Sequence, residues 1–194
     1  MRKTQRQNPR MRIAGAAFDL FYKKGYNATG VNDILKKSKA YKKSYYRYFR
    51  DKTDIGKLYL KEKEDYYLTF IQNLSARHTD FESFWNLWIS LLKREIKKKN
   101  YNGCPIANFS VQNSSEFRSQ LNSFLSSWNR VLSQYLKKSI YKRKKFSATR
   151  VPELSKKIML MYEGALITFV MSNDKAFIDY LRDEVFLLAE RYLE

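Results

Sequence analysis

The sequence predicts an all-α protein of about nine helices. Apolar side chains recur at a spacing near 3.6 residues along almost the whole chain, and no alternating run is long enough to indicate a sheet. Only six Gly and three Pro occur in 194 residues, which argues against a turn-dense all-β chain. Apolar residues make up 44% and aromatic residues 16%, so the chain can fill a sizeable core and is not expected to be disordered.

The first two helices have clear boundary signals. The first is predicted over residues 9–24, because Pro9 suits a first helical turn and Gly25 is placed to end the helix. Thr29 can cap a short second helix over residues 31–38. Both helices carry their apolar side chains on one stripe, so each is expected to bury one face.

A third short helix is predicted over residues 42–49, after a tight turn near Lys39 and Ala40. Three short helices with this turn between the second and third describe a helix-turn-helix. The polar segment 51–54 follows, and a long fourth helix is predicted from about Lys52 into the seventies.

The remaining five helices are predicted mostly as longer amphipathic segments. Thr79 and Glu82 have the spacing of a capping box, and Pro152 suits the start of the eighth helix, whose apolar interior predicts burial on more than one side. The predicted ranges are about 80–99, 104–112, 117–145, 152–172 and 177–192. The basic run 137–145 is interpreted as complementing a helix macrodipole, in preference to a second nucleic-acid site.

The positive charge is concentrated near the amino terminus. The chain has 38 Lys and Arg against 19 Asp and Glu, a net charge of +19. Residues 1–63 hold 18 of the basic and five of the acidic side chains, so this third carries +13 and the rest only +6. This asymmetry favours a polyanionic partner bound by the first third, and a general coat of surface lysines is the alternative.

The predicted third helix has two chemically different faces. Tyr45 and Phe49 share the face expected to pack inward, whereas Lys43 and Arg47 point outward. The two flanks add hydroxyl groups and one more cation, from Lys42, Ser44, Tyr46 and Tyr48. Lys and Arg can reach guanine O6 and N7 in a major groove, and hydroxyl groups can meet phosphates. Lys52, beside free N–H groups at the start of the fourth helix, is expected to add a phosphate contact.

The amino-terminal residues resemble the tetracycline-repressor (TetR) family of bacterial transcriptional regulators over about 50 residues. The matching positions are Ile13, Ala16, Leu20, Phe21, Gly25, Tyr26, Thr29, Val31, Asp33, Ile34, Tyr46, Tyr48, Phe49 and Lys52. The resemblance implies an all-helical homodimer whose last two helices pair across a two-fold axis. It also implies DNA contacts at Thr29, Lys42, Ser44, Tyr46, Tyr48 and Lys52.

Three residues depart from the family pattern. Lys39 stands where the turn usually carries glycine, so a positive φ is expected there at a cost of about 1 kcal/mol. Tyr41 and Lys43 replace smaller residues at the expected DNA surface. The predicted DNA-binding set therefore includes Tyr41, Lys43 and Arg47, and the operator sequence cannot be taken from relatives.

The resemblance divides the chain into a DNA-binding domain, residues 1–55, and a ligand-binding and dimerisation domain, residues 56–194. The implied function is a ligand-responsive repressor that a small aromatic or cationic effector releases from an inverted-repeat operator. The candidate ligand residues are Trp88, Asn108, Phe109, Phe124, Trp128, Tyr162 and Glu163. The segment 103–109 also resembles the start of the sixth helix in a family branch that senses aromatic or multidrug-like compounds.

Simpler interpretations of these residues stay open. Each aromatic ring could be ordinary core at helical spacing. Glu163 interrupts an apolar run, and a buried carboxylate is costly, so it either balances a cationic ligand, pairs with Lys or Arg, or reaches solvent. Cys104 is expected to be a small buried residue and not a redox sensor.

Other classes of protein are disfavoured. The single Cys and single His, His78, leave no expected metal site, cofactor or catalytic dyad, and no nucleotide-binding or hydrolase motif predicts an enzyme. The longest apolar stretch, 158–171, is 14 residues and too short to span a bilayer, and no signal peptide is recognised. A cytoplasmic location is expected. The alternative function is a nonspecific nucleic-acid or anionic-surface binding protein.

Overall fold

A computed structural model describes residues 8–113 and 115–194, and within these ranges the chain forms nine α-helices and one short β-hairpin. The elements are α1 (Pro9–Lys24), α2 (Val31–Ser38), α3 (Lys42–Tyr48), α4 (Lys52–Arg77), α5 (Phe81–Glu95), α6 (Pro105–Asn113), α7 (Arg118–Lys138), β1 (Ile140–Tyr141), β2 (Lys144–Lys145), α8 (Val151–Ser172) and α9 (Ala176–Glu190). The predicted all-α class is confirmed. The basic residues Arg2, Lys3 and Arg6 lie outside the described ranges.

The first three helices pack as a helix-turn-helix around a small apolar core. Ile13 and Phe21 of α1 are buried against Ile34 of α2 and Tyr45 of α3. The turn after α2 contains Lys39 at a φ of 51°, in the left-handed region, as the missing glycine predicts. There its amide donates to the carbonyl groups of the last turn of α2, which offsets part of the steric cost of that conformation.

The larger part of the chain is arranged around α4, α7 and α8. With 26 residues, α4 is about 39 Å long and carries the chain away from the helix-turn-helix. The predicted capping box at the start of α5 is wrong, because the N-cap is Asp80. Its carboxylate accepts hydrogen bonds from the Ser83 amide (2.8 Å) and hydroxyl (2.9 Å), and Asp is a strong N-cap residue.

The hairpin replaces the last part of the helix predicted over 117–145. α7 ends at Lys138, and the antiparallel strands pair Ile140 with Lys145. Tyr141 and Phe146 place their rings 5.5 and 5.2 Å from the buried Phe81 ring, so two aromatic contacts favour the hairpin over further helix. Its turn has positive φ at two non-glycine residues, Lys142 and Arg143.

The last two helices combine a buried and an exposed apolar face. α8 packs on α7 and α9 through residues such as Leu154, Ile158 and Leu166.

In the part of the chain that the structure describes, no helix is long and apolar enough to cross a bilayer. Across the same residues, no group of three His, Cys, Asp or Glu side chains is arranged to hold a metal ion.

Candidate functional site

The exposed face of α3 collects most of the predicted DNA-contacting side chains. Tyr45 and Phe49 are buried, as predicted, and this fixes the direction of the opposite face. Exposed on that face and its edges are Tyr41, Lys42, Lys43, Tyr46 and Arg47, while Ser44 and Tyr48 are half-buried beside them. A short helix thus presents three cations, with hydroxyl groups at its sides. This is the chemistry that a DNA groove and its phosphates require.

Two further predicted contacts are used inside the fold. Thr29 is fully buried, and its hydroxyl donates to the Gly25 carbonyl at 2.7 Å. The Thr29 hydroxyl is therefore engaged within the fold in this conformation, and the DNA contact implied by the family pattern stays a prediction. Lys52 donates from Nζ to the Tyr26 carbonyl at 3.0 Å, and Nζ lies 4.2 Å from the centre of the Tyr26 ring. Burial lowers the pKa of Lys52.

The start of α4 stabilises the helix-turn-helix from the other side. Asp51 caps α4 by accepting a hydrogen bond from the Asp54 amide at 2.9 Å. Asp54 in turn accepts hydrogen bonds from the Arg50 amide and guanidinium at 2.9–3.0 Å. These bonds to Arg50 lower the pKa of Asp54 to about 2. Both acids therefore serve local structure, and the cations of α3 have no carboxylate partner among the described residues.

A cavity of about 480 Å³ opens between α4, α5 and α8, and we call it the aromatic cavity. Half of its lining residues are aromatic: Tyr66, Tyr67, Phe70, Trp88, Tyr101 and Tyr162. Three leucines and three charged side chains complete the lining: Leu91, Leu92, Leu166, Arg94, Glu95 and Lys98. Glu95 and Lys98 form an ion pair at 2.6 Å, whereas Arg94 has no ion-pair partner in the described part of the chain.

The predicted ligand residues do not form one site. Trp88 and Tyr162 line the aromatic cavity, but Trp128 and Glu163 line a separate groove between α7 and α8. Phe124 lines a third space, between α4, α6 and α7. The structure distributes these candidates over three spaces, because aromatic residues at helical spacing also build the core between them.

Two other predicted ligand residues connect the domains. Phe109 packs between Tyr26 and Phe117, with its ring centre 4.9 Å from each of theirs. Asn108 donates its amide to the Asn102 carbonyl and so holds the start of α6. Neither residue lines the aromatic cavity. Sequence reasoning missed Tyr67 and Tyr101, which do line it; their only signal was their residue type.

Glu163 is half-buried and has no cationic partner among the residues that the structure describes. Burial raises the pKa of Glu163, and a hydrogen bond with Cys104 partly opposes this shift. Burial is the main cause that raises the pKa of Tyr67 and of Tyr162. Neighbouring ionisable groups, including Cys104 and Glu163, raise both pKa values further. Glu163 directly follows Tyr162 of the cavity wall in α8, while its own side chain lines a separate groove between α7 and α8. The Cys104 thiol is buried and its pKa is raised, so it is a poor nucleophile.

The segment around α6 joins this region to α1. The Tyr22 hydroxyl accepts a hydrogen bond from the Asn102 amide at 2.7 Å and donates to the Gly103 carbonyl at 3.1 Å. Asn27 donates its amide to the Gln112 carbonyl at 3.1 Å. Asn102 and Gly103, which form hydrogen bonds with Tyr22 of α1, directly precede Cys104 in the chain. Cys104 is the residue whose thiol influences the pKa of Glu163.

Comparisons with known proteins agree with this architecture. Residues 13–56 match the family profile described as bacterial regulatory proteins, tetR family. Residues 80–184 match the transcriptional regulator LmrA/YxaF-like C-terminal domain.

One curated relative is an uncharacterized HTH-type transcriptional regulator in the lacX 3' region of Lactococcus lactis subsp. lactis. It is 26% identical over 135 residues, which cover 67% of this chain and 69% of that protein. AcuR of Cereibacter sphaeroides is 25% identical over 161 residues, covering 78% and 72%. SCO4454, a TetR-family regulator from Streptomyces coelicolor, superposes with a TM-score of 0.82 at 14% identity and 96% coverage of both chains.

Both parts of the chain thus match the same kind of protein, and the fold is shared with solved members of that family. The family profiles together cover the helix-turn-helix and most of the larger helical part. The chain therefore belongs to the TetR family, and it is a non-enzymatic, ligand-responsive repressor that binds DNA through its helix-turn-helix and acts as a dimer.

Proposed function

We propose that this regulator binds an inverted-repeat operator through the exposed face of α3 and is released when an aromatic cation enters the aromatic cavity. The observation that carries the DNA interface is the cationic face of α3, opposite the buried Tyr45 and Phe49. We assign DNA binding to residues 1–55 and effector binding and dimerisation to residues 56–194. Because its partner is DNA, we place the protein in the cytoplasm.

The proposed contacts divide by chemistry. Lys43 and Arg47 are exposed on the face of α3 opposite the buried Tyr45 and are assigned to base edges. Hydroxyl groups and Lys42 at the sides of the helix are assigned to phosphates, together with Tyr41, which is 83% exposed. The phosphate set is Tyr41, Lys42, Ser44, Tyr46 and Tyr48. Lys52 supports this surface from within through its bond to Tyr26.

Operator binding of two variants tests the interface. Arg47→Ala should weaken binding to the selected operator by about 10- to 100-fold per half-site, since a good base contact is worth about 1–3 kcal/mol. Lys42→Ala should weaken binding to all DNA sequences. It should also reduce the number of counterions released on binding, measured as the slope of log K against log salt concentration, by about one per half-site. Lys99→Ala removes an exposed cation in the turn that follows α5 and is the matched control. Equal losses in all three variants would support the nonspecific alternative.

The proposed dimer face lies on α8 and α9. Six large apolar side chains are exposed there: Leu160, Ile167, Val170, Met171, Tyr180 and Leu187. Leu160 and Met171 are 75% and 80% exposed, and exposed apolar stripes of this kind mark association surfaces. Two-fold pairing through these helices would present two copies of α3 to half-sites about 34–36 Å apart, hence the inverted repeat.

Sedimentation tests the dimer face. Leu160→Glu should shift the protein from dimer to monomer at micromolar concentration, because it would bury a carboxylate in the interface. Val111→Glu, at an 84% exposed position on α6, is the control and should stay dimeric. A Leu160→Glu variant that remains dimeric would place the interface elsewhere.

The proposed effector is a flat aromatic cation. The rings of the aromatic cavity would stack on it, and the Glu163 carboxylate, next to Tyr162 of the cavity wall in α8, would favour its positive charge. N-methylquinolinium and its neutral isostere 1-methylnaphthalene are the probes, measured by tryptophan quenching. The cation should bind at least tenfold more tightly, and Glu163→Gln should remove this preference. Equal affinities in the wild-type protein would reject the cationic effector.

A further inference from the structure

A second space, which we call the α7–α8 groove, has a volume of about 810 Å³. No residue of its lining is shared with the aromatic cavity. The Trp128 ring lines the groove and packs 5.6 Å from Trp88 and 6.1 Å from Tyr162, which line the cavity. The groove is therefore a separate site behind a layer of aromatic rings.

The wall of the groove contains buried polar atoms that lack partners. Trp128 Nε1, Asn129 Oδ1 and Ser133 Oγ are all buried and have no hydrogen-bond partner among the described residues. They are three of the six such side-chain atoms found there. Leaving a buried polar group unsatisfied is unfavourable, so a ligand or water that satisfies these atoms would be favoured.

Cations are gathered around Ser133. Arg130, Lys137 and Lys156 line the groove, and none of them has an ion-pair partner in the described part of the chain. Ser155 donates to the Asn129 carbonyl at 3.4 Å, which places Lys156 beside the segment of α7 that carries Arg130 and Ser133.

The remainder of the lining is partly apolar, with Leu125, Met159 and Leu160 among it. Glu163 also lines the groove, two helical turns beyond Lys156, or about 10 Å along α8. Charge is therefore segregated along the groove, with the cations separated from the carboxylate. An anionic group would be favoured at Ser133 and disfavoured near Glu163.

From this arrangement we infer that the α7–α8 groove binds an amphipathic organic anion. Its acidic group meets Arg130, Lys156 and the Ser133 hydroxyl, and its apolar body lies against Met159 and Leu160. This ligand differs in charge and place from the aromatic cation proposed as effector. Leu160 also belongs to the proposed dimer face, so binding has to be measured on the native dimer.

Octanoate is a suitable probe, with octanol and octylammonium as neutral and cationic controls of equal carbon number. Calorimetry should give a Kd for octanoate at least tenfold lower than for either control. The double variant Arg130→Ala/Lys156→Ala should weaken octanoate binding at least tenfold, and Ser133→Ala several-fold. The matched double variant Lys138→Ala/Lys144→Ala removes two exposed cations that do not line the groove and should bind octanoate as the wild type does.

Three results would overturn the inference. The first is equal binding of octanoate and octanol, and the second is an equal loss in both double variants, which indicates nonspecific attraction. The third is displacement of octanoate by N-methylquinolinium, which would place both in the aromatic cavity. An indole N–H resonance of Trp128, assigned with Trp128→Phe, should shift on octanoate addition. The proposed function is tested by operator binding and by quinolinium binding. A negative octanoate result would therefore overturn only the inference about the α7–α8 groove.

Discussion

Replacing Gly56 by alanine should destabilise the junction between the helix-turn-helix and the larger domain. Gly56 lies in the second turn of α4, and a Cβ atom there would stand 2.8 Å from Phe117 Cζ and 2.9 Å from Tyr26 Cε2. These two rings are packed 5.3 Å apart and each also contacts Phe109, so neither can move without disturbing the other.

The expected size of the effect follows from two opposing contributions. Overpacking a core by one methyl group costs about 1–3 kcal/mol, and alanine gains about 1 kcal/mol over glycine in a helix. The net loss in the free energy of unfolding should be about 1 kcal/mol, which lowers Tm by about 2–4 °C for a chain of this size.

Thermal unfolding at fixed protein concentration measures this prediction. Gly15→Ala is the matched control, because Gly15 also lies in a helix and a Cβ there meets nothing within 4 Å. That variant should be stabilised by about 1 kcal/mol, so the two substitutions should have opposite signs. Shortening the neighbour, in Gly56→Ala/Phe117→Leu, should recover part of the loss. A Gly56→Ala protein as stable as Gly15→Ala would refute the packing argument.

Three more outcomes are expected. Tyr45→Phe removes a buried hydroxyl without a partner, so chemical unfolding should show equal stability or a gain of up to about 1 kcal/mol, with operator affinity unchanged. Glu163→Gln should raise Tm at pH 8 and have less effect near pH 4.5, because the stability contributed by a carboxyl with a raised pKa is lost as pH rises; a constant difference across this range would contradict it. Asp54→Asn should destabilise the protein at neutral pH, because Arg50 lowers the pKa of Asp54 and the ionised carboxylate stabilises the fold. The loss of stability should become smaller as the pH falls from about 4 towards 2.

Much of the helix-turn-helix could be predicted because its signals are local. The bounds of α1 and α2 agree with the sequence prediction, and the positive φ of Lys39 follows from the need for a left-handed residue in that turn. The buried face of α3, with Tyr45 and Phe49, follows from helical periodicity alone. The burial of Thr29 could not be predicted in this way, because a family pattern gives the residue type and not the direction of its hydroxyl.

The candidate ligand sites could be predicted only as residue types. The aromatic residues of α5, α7 and α8 were recognised, but the same spacing describes a ring in the core and a ring at a cavity wall. Trp88 lines the aromatic cavity and Trp128 lines the α7–α8 groove because their helices cross in a way that no single-helix pattern encodes. The hairpin was missed for a similar reason, since Tyr141 and Phe146 are held by the distant Phe81.

The sequence by itself determined the helical class, the position of the helix-turn-helix and the cationic face of α3. These features depend on side-chain chemistry and on a period within one helix, so neighbouring residues are enough to specify them. Only the tertiary structure decided which rings enclose a cavity, that Lys52 donates a hydrogen bond to Tyr26, and that Glu163 is half-buried without a cationic partner among the described residues. Those outcomes depend on contacts between segments far apart in the chain, where packing selects one partner among many of similar chemistry.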